Sequence, residues 1–238
     1  MKTRLIIVLL TIAGLFSCKQ KSDSEKKKAT IQPEPVYSTK NNNEKPPIDS
    51  VLERFTYTDT TYSFSQEERI IIQNSLPKGG MIAPGGAQYF DTSGKKYVFA
   101  VFWTRIINES STPIELNIHI PADSFAIFNP PNSYLKLFLP PDKLTYDKLS
   151  SFNYGLTNIK SFLDINLNKA TNLRKTIAPN NEYIFYVATL SYEATGTPRA
   201  ALFMQKEALY YRMSLSPNGA GTIPLGKITF TKKANSNE

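Results

Sequence analysis

One cysteine, one histidine and one tryptophan are all that 238 residues contain of those three types. A disulfide framework is therefore excluded, and so is any metal site assembled from several cysteines or histidines. Long apolar runs are also missing. The longest, Leu5 to Phe16, would extend only about 18 Å as a helix, whereas a permanent span of a bilayer takes roughly 20 residues. No Gly-x-Ser-x-Gly elbow and no Asp-x-Asp-x-Asp-Gly calcium loop occurs. The nearest approach to a phosphate-binding loop is Ser93-Gly94-Lys95-Lys96, but Tyr89 stands where the first glycine belongs and Lys96 where a serine or threonine belongs. That stretch reads as a hairpin turn.

What the chain does have begins with an address. Lys2 and Arg4 precede the apolar run, and the small Ser17 follows it, the three parts of an export signal over residues 1–17. Leu15-Phe16-Ser17-Cys18 resembles the lipobox of bacterial lipoproteins, with leucine at −3, a small residue at −1 and cysteine at +1. The resemblance implies cleavage before Cys18 and attachment of fatty acyl chains such as palmitate there. A single acyl chain anchors weakly and several anchor stably, so a fully acylated Cys18 would hold the protein on a membrane. In its resemblance to Gram-negative lipoproteins, Lys19 rather than aspartate after the cysteine implies delivery to the outer membrane, on either its periplasmic or its outer face.

Residues 19–47, KQKSDSEKKKATIQPEPVYSTKNNNEKPP, carry few large apolar side chains. Such a segment cannot bury enough surface to offset the entropy of ordering, which predicts a disordered tether between Cys18 and a folded domain. The charge divides accordingly. Of 28 basic residues, two lie in 1–17 and seven in 19–47; of 20 acidic residues, four lie in the tether, which leaves residues 48–238 with a net charge of only +3. The basic excess belongs beside the membrane, and nothing in it calls for nucleic acid.

From residue 48 onward, short β-branched and aromatic runs alternate with Gly, Pro and Asn, which predicts one antiparallel β-sandwich domain, immunoglobulin-like or jelly-roll in connectivity. About ten strands are expected. RFTYTDTTYSF at 54–64 is the first, and a hairpin about Ser93-Gly94 leads into KYVFAVFWTRIIN. In that run both alternations are apolar, Tyr97, Phe99, Val101 and Trp103 on one side and Val98, Ala100, Phe102 and Ile106 on the other, so neither face can be solvated. Trp103 is accordingly a core residue. Two helices are expected: one at 66–75, from Ser65 and Glu68 at capping-box spacing, and one in a long insertion at about 140–171, where Asn158 would cap Ile159, Phe162, Leu163 and Leu167. The insertion reads either as a lid over one end of the sandwich or as a binding element.

Chemistry is sparse. His119 alternates with Ile118 and Ile120 on a strand and has no nucleophile marked out for it. Carboxylate pairs are the catalytic apparatus that the composition permits, yet Asp123, Asp142, Asp147, Asp164, Glu182 and Glu193 show no pairing pattern. The expectation is a non-enzymatic protein with no cofactor, no metal and no catalytic residue. Aromatic residues make up 12% of the chain, and Tyr134, Tyr146, Phe152 and Tyr154, in or beside Pro- and Asn-rich loops, are the candidate binding residues. The partner classes are the membrane through Cys18, a protein of the cell envelope, and a glycan. A glycan-binding or glycan-cleaving domain and a purely structural envelope subunit are the rival readings. The expected interface joins the insertion to the Gly-rich loop 77–86, and deletion of 145–168 is expected to leave the sandwich folded.

Overall fold

The thirteen-residue strand Lys96–Asn108 is the axis of the fold, and its two apolar faces explain the layers around it. In the computed structural model, residues 48–194, 196–216 and 219–231 are described; the expected signal, Cys18 and tether lie outside them. In chain order the elements are α1 (Ile48–Phe55), β1 (Thr56–Ser63), β2 (Arg69–Ser75), β3 (Lys78–Gly79), β4 (Tyr89–Phe90), β5 (Lys96–Asn108), β6 (Ile114–Ile120), β7 (Tyr134–Phe138), α2 (Ile159–Asn166), β8 (Thr171–Ile177), β9 (Asn181–Tyr192), β10 (Thr197–Gln205), β11 (Ala208–Ser216) and β12 (Ala220–Phe230). Two short 3-10 turns, Tyr146–Lys148 and Phe152–Gly155, precede α2.

The strands form two antiparallel sheets, as the sequence led us to expect. The first runs β1-β2-β5-β9-β7, with β3 and β4 added beside β5; the second runs β10-β11-β12-β6-β8. Ala100, Phe102 and Ile106 of β5 face the second sheet and meet Ile114, Leu116, Ile118 and Ile120 of β6 in one core. Phe99, Val101 and Trp103 point the other way into a second core with Tyr186 and Leu190 of β9. Each such fully buried side chain contributes about 1.5–3 kcal/mol by leaving water.

The second core is where the insertion belongs. Leu144, Leu149, Tyr154, Leu156, Ile159 and Leu163 lie over the outer face of the first sheet together with Leu52 of α1. The insertion is thus a third layer and not a lid over the end of the sandwich, because β5 and β9 carry apolar side chains on both faces and need cover on both. Two lysines fasten this layer. Lys78 Nζ donates to the carbonyls of Leu149 and Ser151, each at 2.7 Å. Lys136 Nζ donates to Leu167 at 3.0 Å, just past the C-terminus of α2 where a cation is favoured, and to Ala122 at 2.9 Å.

Three further expectations are corrected. Residues 66–75 form no helix: the segment is a turn followed by β2, and Phe64 N–H donates to the Glu68 carbonyl at 2.9 Å to close a hairpin with β1. Ser65 Oγ accepts from Glu67 N–H at 3.3 Å inside that turn, so a turn supplies the residue types of a capping box. Ile70 and Ile72 are buried and Ile71 is not, the period-2 burial of a strand with three β-branched residues. Second, Arg54 and Phe55 belong to α1, and β1 begins at Thr56, whose Oγ1 donates to the Leu52 carbonyl at 2.8 Å. Third, Asn158 does precede α2, but its side chain makes no capping bond. Its backbone is left-handed (φ 52°), and its carbonyl accepts from Phe162 N–H at 3.0 Å.

Candidate functional site

A turn chemistry readable in the sequence builds a concavity beside the hairpin of β4 and β5. Asp91 Oδ1 accepts from Ser93 N–H at 2.9 Å, Ser93 Oγ at 2.6 Å and Lys95 N–H at 2.9 Å, while Gly94 takes the left-handed conformation (φ 82°) that the turn requires. Burial pushes the Asp91 carboxyl up, but these hydrogen bonds and that from Tyr97 outweigh it and hold it below the usual carboxylate value. The turn joins β4 to β5 in the register Tyr89 to Tyr97 and Phe90 to Lys96.

This geometry delivers Lys95 onto a pair of tyrosines. Tyr134 of β7 and Tyr192 of β9 are direct cross-strand partners, and their rings lie 5.1 Å apart with a 30° tilt. Lys95 Nζ sits 3.6 Å from the centre of the Tyr192 ring and 5.0 Å from that of Tyr134. An ammonium in this position is attracted by the negative ring faces. The Tyr134 hydroxyl beside it holds the Lys95 ammonium above the usual lysine value. Tyr97 OH donates to Asp91 Oδ2 at 3.3 Å, which leaves its oxygen to accept from Tyr134 OH at 3.1 Å. Burial, and then the hydrogen bond to Tyr134, drive the Tyr97 phenol well above its usual value. Lys95, Lys96, Tyr97, Ser191, Tyr192 and Glu193 line the resulting cavity of about 640 Å³, and Tyr134 adjoins it through Tyr97 and Tyr192. Aromatic faces, the ammoniums of Lys95 and Lys96 and the carboxylate of Glu193 suit reversible recognition of a polar ligand.

The four binding candidates part company. Tyr134 does not line this pocket but touches two residues that do, Tyr97 and Tyr192. Phe152 is 44% exposed, and its neighbour Asn153 donates through Nδ2 to the carbonyl of Met81, also 44% exposed, at 2.9 Å. The structure therefore brings the insertion and the Gly-rich loop together. Tyr146 is half-buried, with the Arg105 guanidinium 5.8 Å from its ring centre. Tyr154 is fully buried, its hydroxyl donating to the Leu76 carbonyl at 2.6 Å and its carbonyl accepting from Tyr186 OH at 2.7 Å. It is a core residue and not a surface contact: proximity to loop residues in sequence said nothing of the apolar sheet beneath it.

Lys95, Tyr97 and Tyr192 escaped the sequence reading as site residues. The Asp91-x-Ser93-Gly94 turn could have placed the first two at a hairpin tip, but the pairing of β7 with β9 that adds Tyr192 has no local signal. Among the carboxylates, Glu182 is bound by Arg105 and Asp164 by Lys160 at 2.6 Å. Asp142 and Asp147 act on the buried Tyr186 phenol, adding to the burial that raises it. Among the described residues no group of three or more His, Cys, Asp or Glu side chains is placed to hold a metal ion. No family model matches the chain, and no curated protein matches it either.

Proposed function

We propose that the chain is a lipid-anchored binding protein of the Gram-negative cell envelope, held on the outer membrane through Cys18 and carrying out no chemistry of its own. The resemblance of residues 1–18 to an export signal and lipobox supports the anchoring, and the pocket lined by Tyr97 and Tyr192 at the β4–β5 turn is the observation that carries the binding role. Its side chains are fixed by backbone pairing, so the walls are pre-organised, which limits the entropy lost on binding. The tether of residues 19–47 sets the reach of the domain, and confinement to a membrane raises its effective concentration toward partners in the same envelope.

A photo-crosslinking amino acid at position 192 of the full-length chain, in envelope-bearing cells, tests the pocket. One discrete envelope protein captured at 192, and lost on Lys95→Ala, is the expected result; equal capture from position 59 on β1 would remove the pocket from the reading. Fatty-acid labelling that survives Cys18→Ser would remove the anchor.

A further inference from the structure

The first sheet has its outer face covered by the insertion, whereas the outer face of the second sheet carries an ordered set of polar groups. On β6 the buried residues are Ile114, Leu116, Ile118 and Ile120, so Glu115, Asn117 and His119 project outward. Strand pairing then fixes their neighbours. Asn117 is opposite Arg174 of β8 on one side and Lys227 of β12 on the other, and Lys227 is opposite Ala208 of β11. Arg174, Asn117, Lys227 and Ala208 thus form one row across four strands, a span of about 14 Å at the usual strand spacing. His119 and Asn172 form the adjacent pair.

The row borders a shallow cavity of about 730 Å³, to which Ala208 contributes apolar surface and Glu207 a carboxylate. Gly226 permits the arrangement. A Cβ there would strike the Asn117 carbonyl oxygen, so any other residue would push β12 away from β6 and separate Lys227 from Asn117.

The polar groups are available for a ligand. The Arg174 side chain is 82% exposed, and its nearest carboxylate oxygen, on Glu115, is 3.8 Å away. Lys227 makes no ion pair among the described residues. His119 Nδ1 donates to Asn172 Oδ1 at 2.6 Å, which leaves Asn172 Nδ2 and His119 Nε2 unengaged by that bond. Further along the sheet, the rings of Phe203 and Tyr210 are stacked 5.7 Å apart at 25°, with the Arg212 guanidinium 6.0 Å from Phe203.

Arg174 and Lys227 outnumber Glu207, the one carboxylate in the lining, and with two carboxamides and an imidazole they match a ligand that carries both carboxylates and ring hydroxyls. Guanidinium and ammonium take the carboxylates, and the carboxamides can both donate to and accept from hydroxyls. The stacked aromatic pair offers a platform for a sugar ring. A polyphosphate backbone would call for a denser run of lysine and arginine. We propose that the outer face of the second sheet is a binding site for an acidic oligosaccharide, with Arg174 and Lys227 taking its carboxylates and Asn117, Asn172 and His119 its hydroxyls.

Calorimetric titration of the full-length chain in detergent with an oligogalacturonate tests this. The native chain is expected to bind it, and the double variant Arg174→Gln/Lys227→Gln to lose about tenfold or more in affinity, since two charge-assisted contacts are removed. Asn117→Ala, which changes no charge, is expected to weaken binding as well. The fully methyl-esterified oligomer is expected to bind more weakly than the acid, inorganic polyphosphate not to compete, and Lys143→Gln on the insertion to bind like the native chain. No binding by the native chain, unchanged affinity in the double variant, or equal competition by polyphosphate or single-stranded DNA would each overturn the assignment.

Discussion

The side chain of Asn74 and the backbone of Leu202 exchange two hydrogen bonds: Asn74 Nδ2 donates to the Leu202 carbonyl at 2.9 Å, and Leu202 N–H donates to Asn74 Oδ1 at 2.8 Å. Asn74 is on β2 of the first sheet and Leu202 on β10, the edge of the second, so a side chain replaces the missing neighbour strand. The remaining capacity of the carboxamide is used by Thr58 and Thr104, both at 2.9 Å. Edge strands left open invite pairing with other chains, and here the edge is closed internally. Tyr62 OH takes the next inward N–H, from Met204, at 3.0 Å.

Asn74→Ala strands the Leu202 N–H and carbonyl in a buried place, and each unsatisfied group costs about 1–3 kcal/mol. The expected loss is roughly 3 kcal/mol in urea unfolding of the detergent-solubilised chain, with a rise in self-association from the opened edge. A loss within the scatter of surface substitutions would show that the bridge does not hold the sheets together.

How much of this was legible in the sequence depends on the range of the signal. The two-faced apolar pattern of Lys96–Asn108 fixes β5 as a central strand with cover on both sides, and it even implies a third layer, because one sheet cannot cover two faces. It could not say that residues 140–167 are that layer, since their apolar spacing fits a lid equally well. Ile70, Ile71 and Ile72 show why short apolar runs mislead: a turn before them imitates a helix cap, and only the partner strands β1 and β5 decide the outcome. The pocket was half visible. Tyr134 stood out in its loop, whereas Tyr192 and Lys95 join it through strand register, which no local pattern encodes. The Arg174–Asn117–Lys227 row is invisible for the same reason, its members being more than fifty residues apart in sequence.

The sequence led us to expect a sandwich that stays folded without residues 145–168, but their removal would uncover Trp103, Phe99 and Tyr186, all buried by that segment and α1. Loss of cover from these three side chains, at about 1.5–3 kcal/mol each, is comparable to the whole stability of a typical domain. The expected outcome is an aggregated chain without a cooperative thermal transition. A deletion variant with native circular dichroism and a sharp melt would show that the third layer is dispensable.

Lys78 holds the same layer by charge. Burial, and then the nearby Arg54, lower its ammonium below the usual lysine value, yet its Nζ bonds to two carbonyls and lies 4.5 Å and 4.4 Å from the Phe55 and Tyr154 ring centres. Lys78→Met keeps the aliphatic stem and removes the donor, so about 1–2 kcal/mol should be lost. Hydrogen exchange should quicken in residues 146–155 and not in β10–β12. Uniform change across the chain would refute a local clamp.

Alkaline pH should unfold the domain through its tyrosines. Burial raises Tyr89, Tyr97, Tyr154, Tyr183, Tyr186 and Tyr211, with Tyr154 pushed up to about 12, and Glu193 beside Tyr192 raises that phenol too. The folded chain then keeps protons that the unfolded chain releases above its tyrosine value of about 10, so stability falls as pH rises beyond it. Lys78 and Lys136, lowered chiefly by burial, act with the opposite sign but only below the ordinary lysine value of 10.5. Tyrosinate absorbance should therefore lag that of the unfolded chain and rise together with loss of circular dichroism. Ionisation of all tyrosines near pH 10 in a folded chain would contradict the burial argument.

Asp91 controls where Lys95 points. Its carboxylate fixes the turn through Ser93 and the Lys95 N–H, and without it the Lys95 side chain has no reason to stay over Tyr192. In the native chain the ring current of Tyr192 should move the ε-methylene protons of Lys95 upfield, and both Asp91→Ala and Tyr192→Leu should return them to ordinary lysine positions. The carboxyl sits below its unfolded value, so its contribution is complete above the usual aspartate range and disappears as pH falls through the folded value. Acid should accordingly reproduce the Asp91→Ala spectrum for Lys95 before the domain unfolds. An upfield shift that persists in Asp91→Ala would mean that the tyrosine pair alone holds the ammonium, and the pocket would then be pre-organised from β7 and β9 without the turn.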